Sequence, residues 1–341
     1  MATLNEIATK LVKPGKGILA ADESEGTIAK RFAMIELPVT LESRRDYREM
    51  LFRSTDAMKN YISGVILTEE TLLQSAEDGT PFRQILADAD CIPGIKVDRG
   101  TFAMPGSSDE KITEGLDGLR QRLKHYAEVG AGFAKWRSVI AITPRAPTRN
   151  GIKANAHVLA RYAALCQEAG IVPVVEPEVL ADGEPGDHSI DRCEEVTNEV
   201  LSATFSELRL AGVDFTGMLL KPNMVLSGFR NRDRPSVAEV ARRTVDTLLA
   251  QVPRSVPGIA FLSGGQGDEE ATAHLSAMNK LGPFPWALTY SYGRALQTAA
   301  LLAWDGKKEN VPAAQKAFAH RAKMNSLASL GEWRPELDLA A

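Results

Sequence analysis

The sequence is poor in cysteine. Its three, Cys91, Cys166 and Cys193, are odd in number and widely spaced, so a disulfide framework is not expected and free thiols in a reducing cytoplasm are. None of its five histidines lies four residues from another, which leaves no helical pair of imidazole ligands and argues against a histidine-based metal site. No apolar run approaches the roughly 20 residues of a membrane span, and the segment from Met1 to Ala8 has neither the basic nor the apolar region of a secretory signal. Positive charge is not in excess: the formal net charge is -4 and the pI about 5.9, which argues against nucleic-acid and anionic-membrane partners. No low-complexity stretch or linker divides the 341 residues, a length that admits two average domains or one large α/β barrel.

What is present is an alternation. Eight short apolar runs, at 15–21, 63–67, 92–98, 132–140, 170–175, 217–224, 258–262 and 286–290, are separated by longer charged segments with helical patterning. Thr80-Pro81 has the form of an N-cap followed by proline in the first helical position. Helices are expected over 116–126, 156–168, 268–280 and 313–330, and Ser236-Val-Ala-Glu239 is a capping-box pattern opening a helix over 240–249. Buried apolar strands alternating with helices imply parallel pairing through crossovers, and eight is the number that closes a (β/α)8 TIM barrel. A doubly wound open sheet is the competitor, but no Gly-x-Gly-x-x-Gly turn follows the first run. The expectation is one barrel domain over 1–341, with an N-terminal helix and a C-terminal helical segment packed outside.

The polar residues cluster where such a barrel carries its chemistry, at the carboxyl ends of the runs. The run Gly217-Met-Leu-Leu-Lys221 stops at Pro222, which cannot donate to a strand ladder, so Lys221 sits at a strand end among apolar neighbours. Desolvation there favours a neutral amine, the nucleophile of Schiff-base chemistry. A strand-end lysine that extends its head to water is the plainer alternative. Residues two apart share a strand face, so Lys96 and Asp98, Lys135 and Arg137, and Glu176 and Glu178 form three charged pairs. Facing the helices they would be unpaired and costly; facing inward they can neutralise one another in one pocket. Lys135 would add like-charge repulsion on Lys221, while Glu176, Glu178 and Asp22 can exchange protons.

Ser263-Gly264-Gly265 follows the seventh run, and Ser291-Tyr-Gly293-Arg294 the eighth, the two places where barrels most often bind phosphate. Glycines allow close approach of backbone N–H groups to an anion, and Arg294 offers a bidentate fork. Ser24, Thr27, Lys30 and Arg31 could hold a second anion or simply open a solvated helix.

The chain resembles a class I fructose-1,6-bisphosphate aldolase in Gly17-Ile-Leu-Ala-Ala-Asp-Glu-Ser24, Gly94-Ile-Lys-Val-Asp98, Phe133-Ala-Lys-Trp-Arg137 and Ile171-Val-Pro-Val-Val-Glu-Pro-Glu178. The likeness continues through Leu219-Leu-Lys-Pro-Asn-Met-Val225, Phe261-Leu-Ser-Gly-Gly-Gln266 and Ser291-Tyr-Gly-Arg-Ala-Leu-Gln297. It implies that Lys221 forms the Schiff base, that Glu176 accepts the C4-hydroxyl proton, and that Asp22, Lys135 and Glu178 relay protons. It assigns Ser263, Gly264, Gly265, Ser291, Gly293, Arg294 and Arg31 to the ketose phosphate end, and Lys96, Arg137, Ser24 and Thr27 to the other phosphate. The implied enzyme needs no cofactor or metal and works on a sugar phosphate in the cytoplasm. A homo-oligomer is expected, and the family is often tetrameric. Animal members end in a tyrosine that helps protonate the enamine; here the last tyrosine is Tyr292 and the sequence ends Leu337-Asp-Leu-Ala-Ala341, so another group or water is expected in that step. A transaldolase-like Schiff-base barrel and a non-catalytic binding or scaffold role are the alternatives.

Overall fold

A computed structural model describes residues 2–339; Met1 and the last two residues of the C-terminal segment considered above lie outside the described residues. Eight parallel strands close into a barrel: β1 (Gly17–Ala21), β2 (Ile62–Leu67), β3 (Ile92–Lys96), β4 (Phe133–Ile140), β5 (Val172–Val179), β6 (Leu219–Leu220), β7 (Gly258–Phe261) and β8 (Ala287–Tyr292). Each pairs with its sequence neighbour, and β8 closes on β1. This is the (β/α)8 architecture expected from the alternation.

Two apolar layers hold the barrel. Ile18, Ala20, Ile66, Phe133, Val172, Val174, Leu219 and Ala260 fill the interior, while their sequence neighbours, among them Leu19, Val65, Ala134, Trp136, Val175 and Leu220, pack against the helices. The period of two along a strand produces this division. It also fixes where the charges go, because Lys135, Arg137, Glu176, Glu178 and Lys221 continue the inward-facing positions toward the carboxyl ends. The interior is crowded at Phe133: a Cβ on Gly94 would lie 2.3 Å from its ring, so only glycine on the neighbouring strand leaves room for it.

The N-terminal helix, expected outside, lies across the amino-terminal mouth of the barrel. Ala8, Leu11 and Val12 join the interior cluster, and a Cβ on Gly258 would meet Val12. That amphipathic helix therefore seals the end opposite the chemistry, helped by a reciprocal cap between Thr3 and Glu6.

Several boundaries differ from the sequence reading. The fifth strand runs on to Val179, so Glu176 and Glu178 lie within it rather than after it. The third strand stops at Lys96, and Asp98 lies beyond it. Pro81 itself caps the helix Phe82–Asp88, in place of Thr80. The helix expected from 156 starts at Arg149, capped by the Thr148 hydroxyl on the Gly151 amide; its polar, glycine-containing first turn hides its beginning. Helix Ile190–Leu210 and a hairpin pairing Thr101–Ala103 with Lys111–Thr113 were not foreseen.

Candidate active site

The amine of Lys221 lies at the bottom of a cavity of about 230 Å³ at the carboxyl ends of the strands. Strand β6 has only two residues; Pro222 cannot donate, so the last bond that this run donates toward β5 is from the Lys221 amide to the Val175 carbonyl. The residue is 4 % exposed, and its Nζ donates to Glu176 Oε1 at 2.6 Å. Lys135 Nζ stands 3.2 Å from the other oxygen of the same carboxylate and 2.8 Å from Asp22 Oδ2. A chain Lys221–Glu176–Lys135–Asp22 thus alternates in sign across the barrel floor. The two amines are neighbours on one carboxylate, bridged by Glu176.

The electrostatics follow from this alternation. Burial alone would push up the Asp22 carboxyl, but Lys135, Lys221 and Lys96 overcome it and hold it down at about 2. Burial likewise opposes ionisation of Glu176, and the charges of Lys135, Lys221 and Arg137 keep its carboxyl below the usual range. For Lys135, burial disfavours the ammonium, yet Asp22, Glu176 and Asp98 raise it well above an ordinary lysine. Neither carboxylate could stay ionised here without its lysines.

The other charged residues pair in a second tier. Glu178 binds the Arg137 guanidinium rather than an amine of the first chain, and this pairing, set against the cost of burial, raises Arg137. Lys96 folds back on Asp98, with Nζ 2.7 Å from Oδ1 and 2.9 Å from the carbonyl; Asp98 Oδ2 also accepts from the Arg137 amide at 3.3 Å. The inward placement expected of the three charged pairs is what the structure has, but partners are exchanged: only Lys96 pairs within its own run.

The loops bring the remaining expected residues to the same rim. Ser24, Thr27, Arg31, Lys96, Arg137, Ser263, Gly264, Ser291, Gly293 and Arg294 line the cavity together with Asp22, Lys135, Glu178 and Lys221. Glu176 lies just beneath, in contact with both lysines. Gly265 does not face the cavity; it turns at φ +91°, and a Cβ there would strike Asp182 and Phe229. The Ser291 hydroxyl and Arg31 Nε are buried without a hydrogen-bond partner, which leaves both free to donate. Ser24 and Thr27 hold each other, hydroxyl to hydroxyl, at 3.0 Å. Among the described residues, no group of three or more His, Cys, Asp or Glu side chains is placed to hold a metal ion.

Two acidic residues that serve this site were not singled out from the sequence. Glu23 binds both Arg31 and Arg48. Asp182 holds Arg294 Nη2 at 3.2 Å. Each balances a cation recognised in the sequence, and a count of the cations left unpaired at the rim would have called for them.

The comparisons with known proteins agree with this geometry. The model of the family "Fructose-bisphosphate aldolase class-I" matches residues 3–341. A protein of Xanthomonas campestris pv. campestris described as "Probable fructose-bisphosphate aldolase class 1" is 52 % identical over 332 residues, covering 97 % of this chain and 98 % of that one. The fructose-bisphosphate aldolase of Plasmodium falciparum is 50 % identical over 329 residues, 96 % of this chain and 88 % of that one. A crystal structure of a Plasmodium falciparum fructose-bisphosphate aldolase, in complex with TRAP and a small-molecule inhibitor, superposes with a TM-score of 0.93 at 50 % identity, covering 97 % of this chain and 95 % of that one.

Proposed function

Since the chain belongs to the class I fructose-bisphosphate aldolase family, it is a lyase that reversibly cleaves fructose 1,6-bisphosphate to dihydroxyacetone phosphate and glyceraldehyde 3-phosphate through a lysine Schiff base, and we propose that Lys221 is that lysine. The observation that carries the assignment is the contact of its buried amine with Glu176 at the cavity floor. Of the amines that reach the cavity, Lys96 is committed to Asp98 and Lys135 to two carboxylates, whereas Lys221 has one partner, placed to take its proton.

The steps follow from that contact. Glu176 removes a proton from Lys221, the free amine adds to the C2 ketone, and Glu176 returns that proton to the carbinolamine hydroxyl, whose departure as water leaves an iminium and an ionised Glu176. Glu176 then accepts the C4-hydroxyl proton, the C3–C4 electron pair moves into the iminium, and the aldehyde departs, leaving an enamine. Protonation at C3 and hydrolysis by water return the amine and release dihydroxyacetone phosphate. Lys135 keeps Glu176 and Asp22 ionised and can carry a proton between them. Glu178 acts one step removed, by holding Arg137.

The phosphates divide between two sides of the rim. Arg31, Ser263, Gly264, Ser291, Gly293 and Arg294 would bind the ketose phosphate, with Gly265 shaping the turn behind them. Lys96, Arg137, Ser24 and Thr27 would face the other phosphate. We also propose a cytoplasmic homo-oligomer. Its three cysteines are buried free thiols, suited to a reducing compartment, and Leu210 and Leu249 on adjoining helices are exposed apolar surface that a second copy can cover.

Borohydride in the presence of fructose 1,6-bisphosphate tests the reaction class. Irreversible loss of activity with substrate, none without it, and full activity in chelator are expected. Activity that disappears in chelator and survives borohydride would contradict it.

A further inference from the structure

Gln297 is fully buried beneath the ketose-phosphate side of the cavity, where four elements meet. Its Nε2 donates to the Ala20 carbonyl at 2.6 Å. That carbonyl can only accept, so the amide orientation is fixed and Oε1 points the other way. There it receives the Tyr47 hydroxyl at 2.9 Å and Arg31 Nη1 at 3.3 Å. Burial, reinforced by Glu23, pushes the Tyr47 hydroxyl up to about 12, so it remains a donor. The tyrosine ring is locked in turn: it stacks on Trp304 at 5.6 Å and meets Phe32 edge-on.

We propose that Gln297 is a positioning residue that sets the Arg31 guanidinium, and with it the affinity for the ketose phosphate. The inference rests on the phosphate assignment made above. Glu23 also binds Arg31, through a charge, which fixes distance better than orientation; the amide oxygen is a second acceptor on the same nitrogen, Nη1, and with Glu23 it limits rotation of the guanidinium. Arg31 Nη2 then lies beside Gly293, where a Cβ would come within 3.1 Å of it, and Nε is left without a partner. Gln297 stands one helical turn after Arg294, so the same amide ties the helix bearing one phosphate arginine to the other arginine. Its bond to Ala20 links both to the strand that leads into Asp22. Without the amide, Arg31 remains near Glu23 but is free to rotate, and the phosphate must order it on binding.

Gln297→Met keeps side-chain length and removes both polar functions. The KM for fructose 1,6-bisphosphate and the Ki for inorganic phosphate should each rise about tenfold, the equivalent of about 1.4 kcal/mol, with kcat changed less than about threefold, since the loss falls on binding shared by ground and transition states. Tyr47→Phe, a smaller lesion, should shift both constants in the same direction by about twofold to threefold. In an Arg31→Ala background the added Gln297→Met should change KM by less than about twofold, because the interaction it supports is already gone.

Borohydride trapping of Lys221 against substrate concentration separates the two claims. The expected result is the wild-type plateau, reached at about tenfold higher substrate in Gln297→Met. No trapping at Lys221 in the wild type would overturn the reading on which the inference rests. Normal trapping with unchanged KM and Ki in both variants, or an undiminished effect without Arg31, would overturn the role of Gln297 alone.

Discussion

Lys221 donates to Glu176 across 2.6 Å inside the barrel, where both side chains are almost wholly screened from water. The same two groups that balance each other at rest are those proposed above as nucleophile and base. Two charges buried together are tolerated when each has a partner and lose that tolerance when one is removed.

Glu176→Gln should therefore affect both chemistry and stability. Loss of the base should lower kcat by about 10²–10⁴-fold. Loss of the charge between Lys221 and Lys135 should destabilise the fold by about 3–5 kcal/mol. Steady-state kinetics and denaturant unfolding of one preparation check both; a variant with near-normal kcat would remove Glu176 from the mechanism.

Acid unfolding reports on Lys135. Asp22 is depressed to about 2 in the folded protein, so its contribution to stability is complete above about pH 4, the ordinary range of an aspartate, and is lost as pH falls toward 2. In Lys135→Met burial is no longer opposed by the nearest cation and the Asp22 and Glu176 carboxyls move up toward or past their unfolded values, so the variant should be less stable than the wild type at pH 7 and lose less of its stability as pH falls. Unfolding free energies measured from pH 7 to pH 3 test this; superimposable profiles would contradict it.

The two sides of the Arg294 contact should respond unequally. Arg294 and Asp182 are both substantially exposed, and such a pair contributes about 0–1 kcal/mol. Asp182→Asn should change KM for fructose 1,6-bisphosphate less than about fivefold. Arg294→Ala removes charged bonds to the phosphate and should raise it roughly 10- to 150-fold. Equal effects in the two variants would show that Asp182, not the phosphate, is the principal partner of Arg294.

The packing of the barrel interior is tested by Gly94→Ala. Its methyl would intrude on the Phe133 ring, and overpacking of this kind costs about 1–3 kcal/mol. Combination with Phe133→Leu should recover part of that loss. Thermal or urea unfolding of the two single variants and the double variant gives the coupling; additive losses would mean that the contact is not what keeps position 94 a glycine.

Much of this was legible because short-range rules apply at the strand ends. Pro222 stops β6, the period of two turns Lys135, Arg137, Glu176 and Glu178 inward, and glycines mark the loops after β7 and β8 that reach the cavity rim. Pairing across strands was less legible, since a sequence does not specify which carboxylate faces which cation: Glu178 meets Arg137 through the parallel register of β4 and β5, and Lys135 meets Asp22 from a strand far away in the chain. Glu23 and Asp182 escaped notice for the same reason, each answering an arginine on a different element. The helix Ile190–Leu210 was missed although its Ser189 cap hydroxyl accepts the Arg192 amide, because its many charged residues obscure the apolar stripe. The N-terminal helix looked like an outer element; only the closed barrel shows that its stripe fits the open end.

The most direct measurement is the location of the trapped carbon. Dihydroxyacetone phosphate reduced onto the enzyme with borohydride, followed by proteolysis and mass spectrometry, should give one modified residue, Lys221, and no modification in Lys221→Met. An adduct on Lys135 or Lys96, or one that persists in Lys221→Met, would contradict the account.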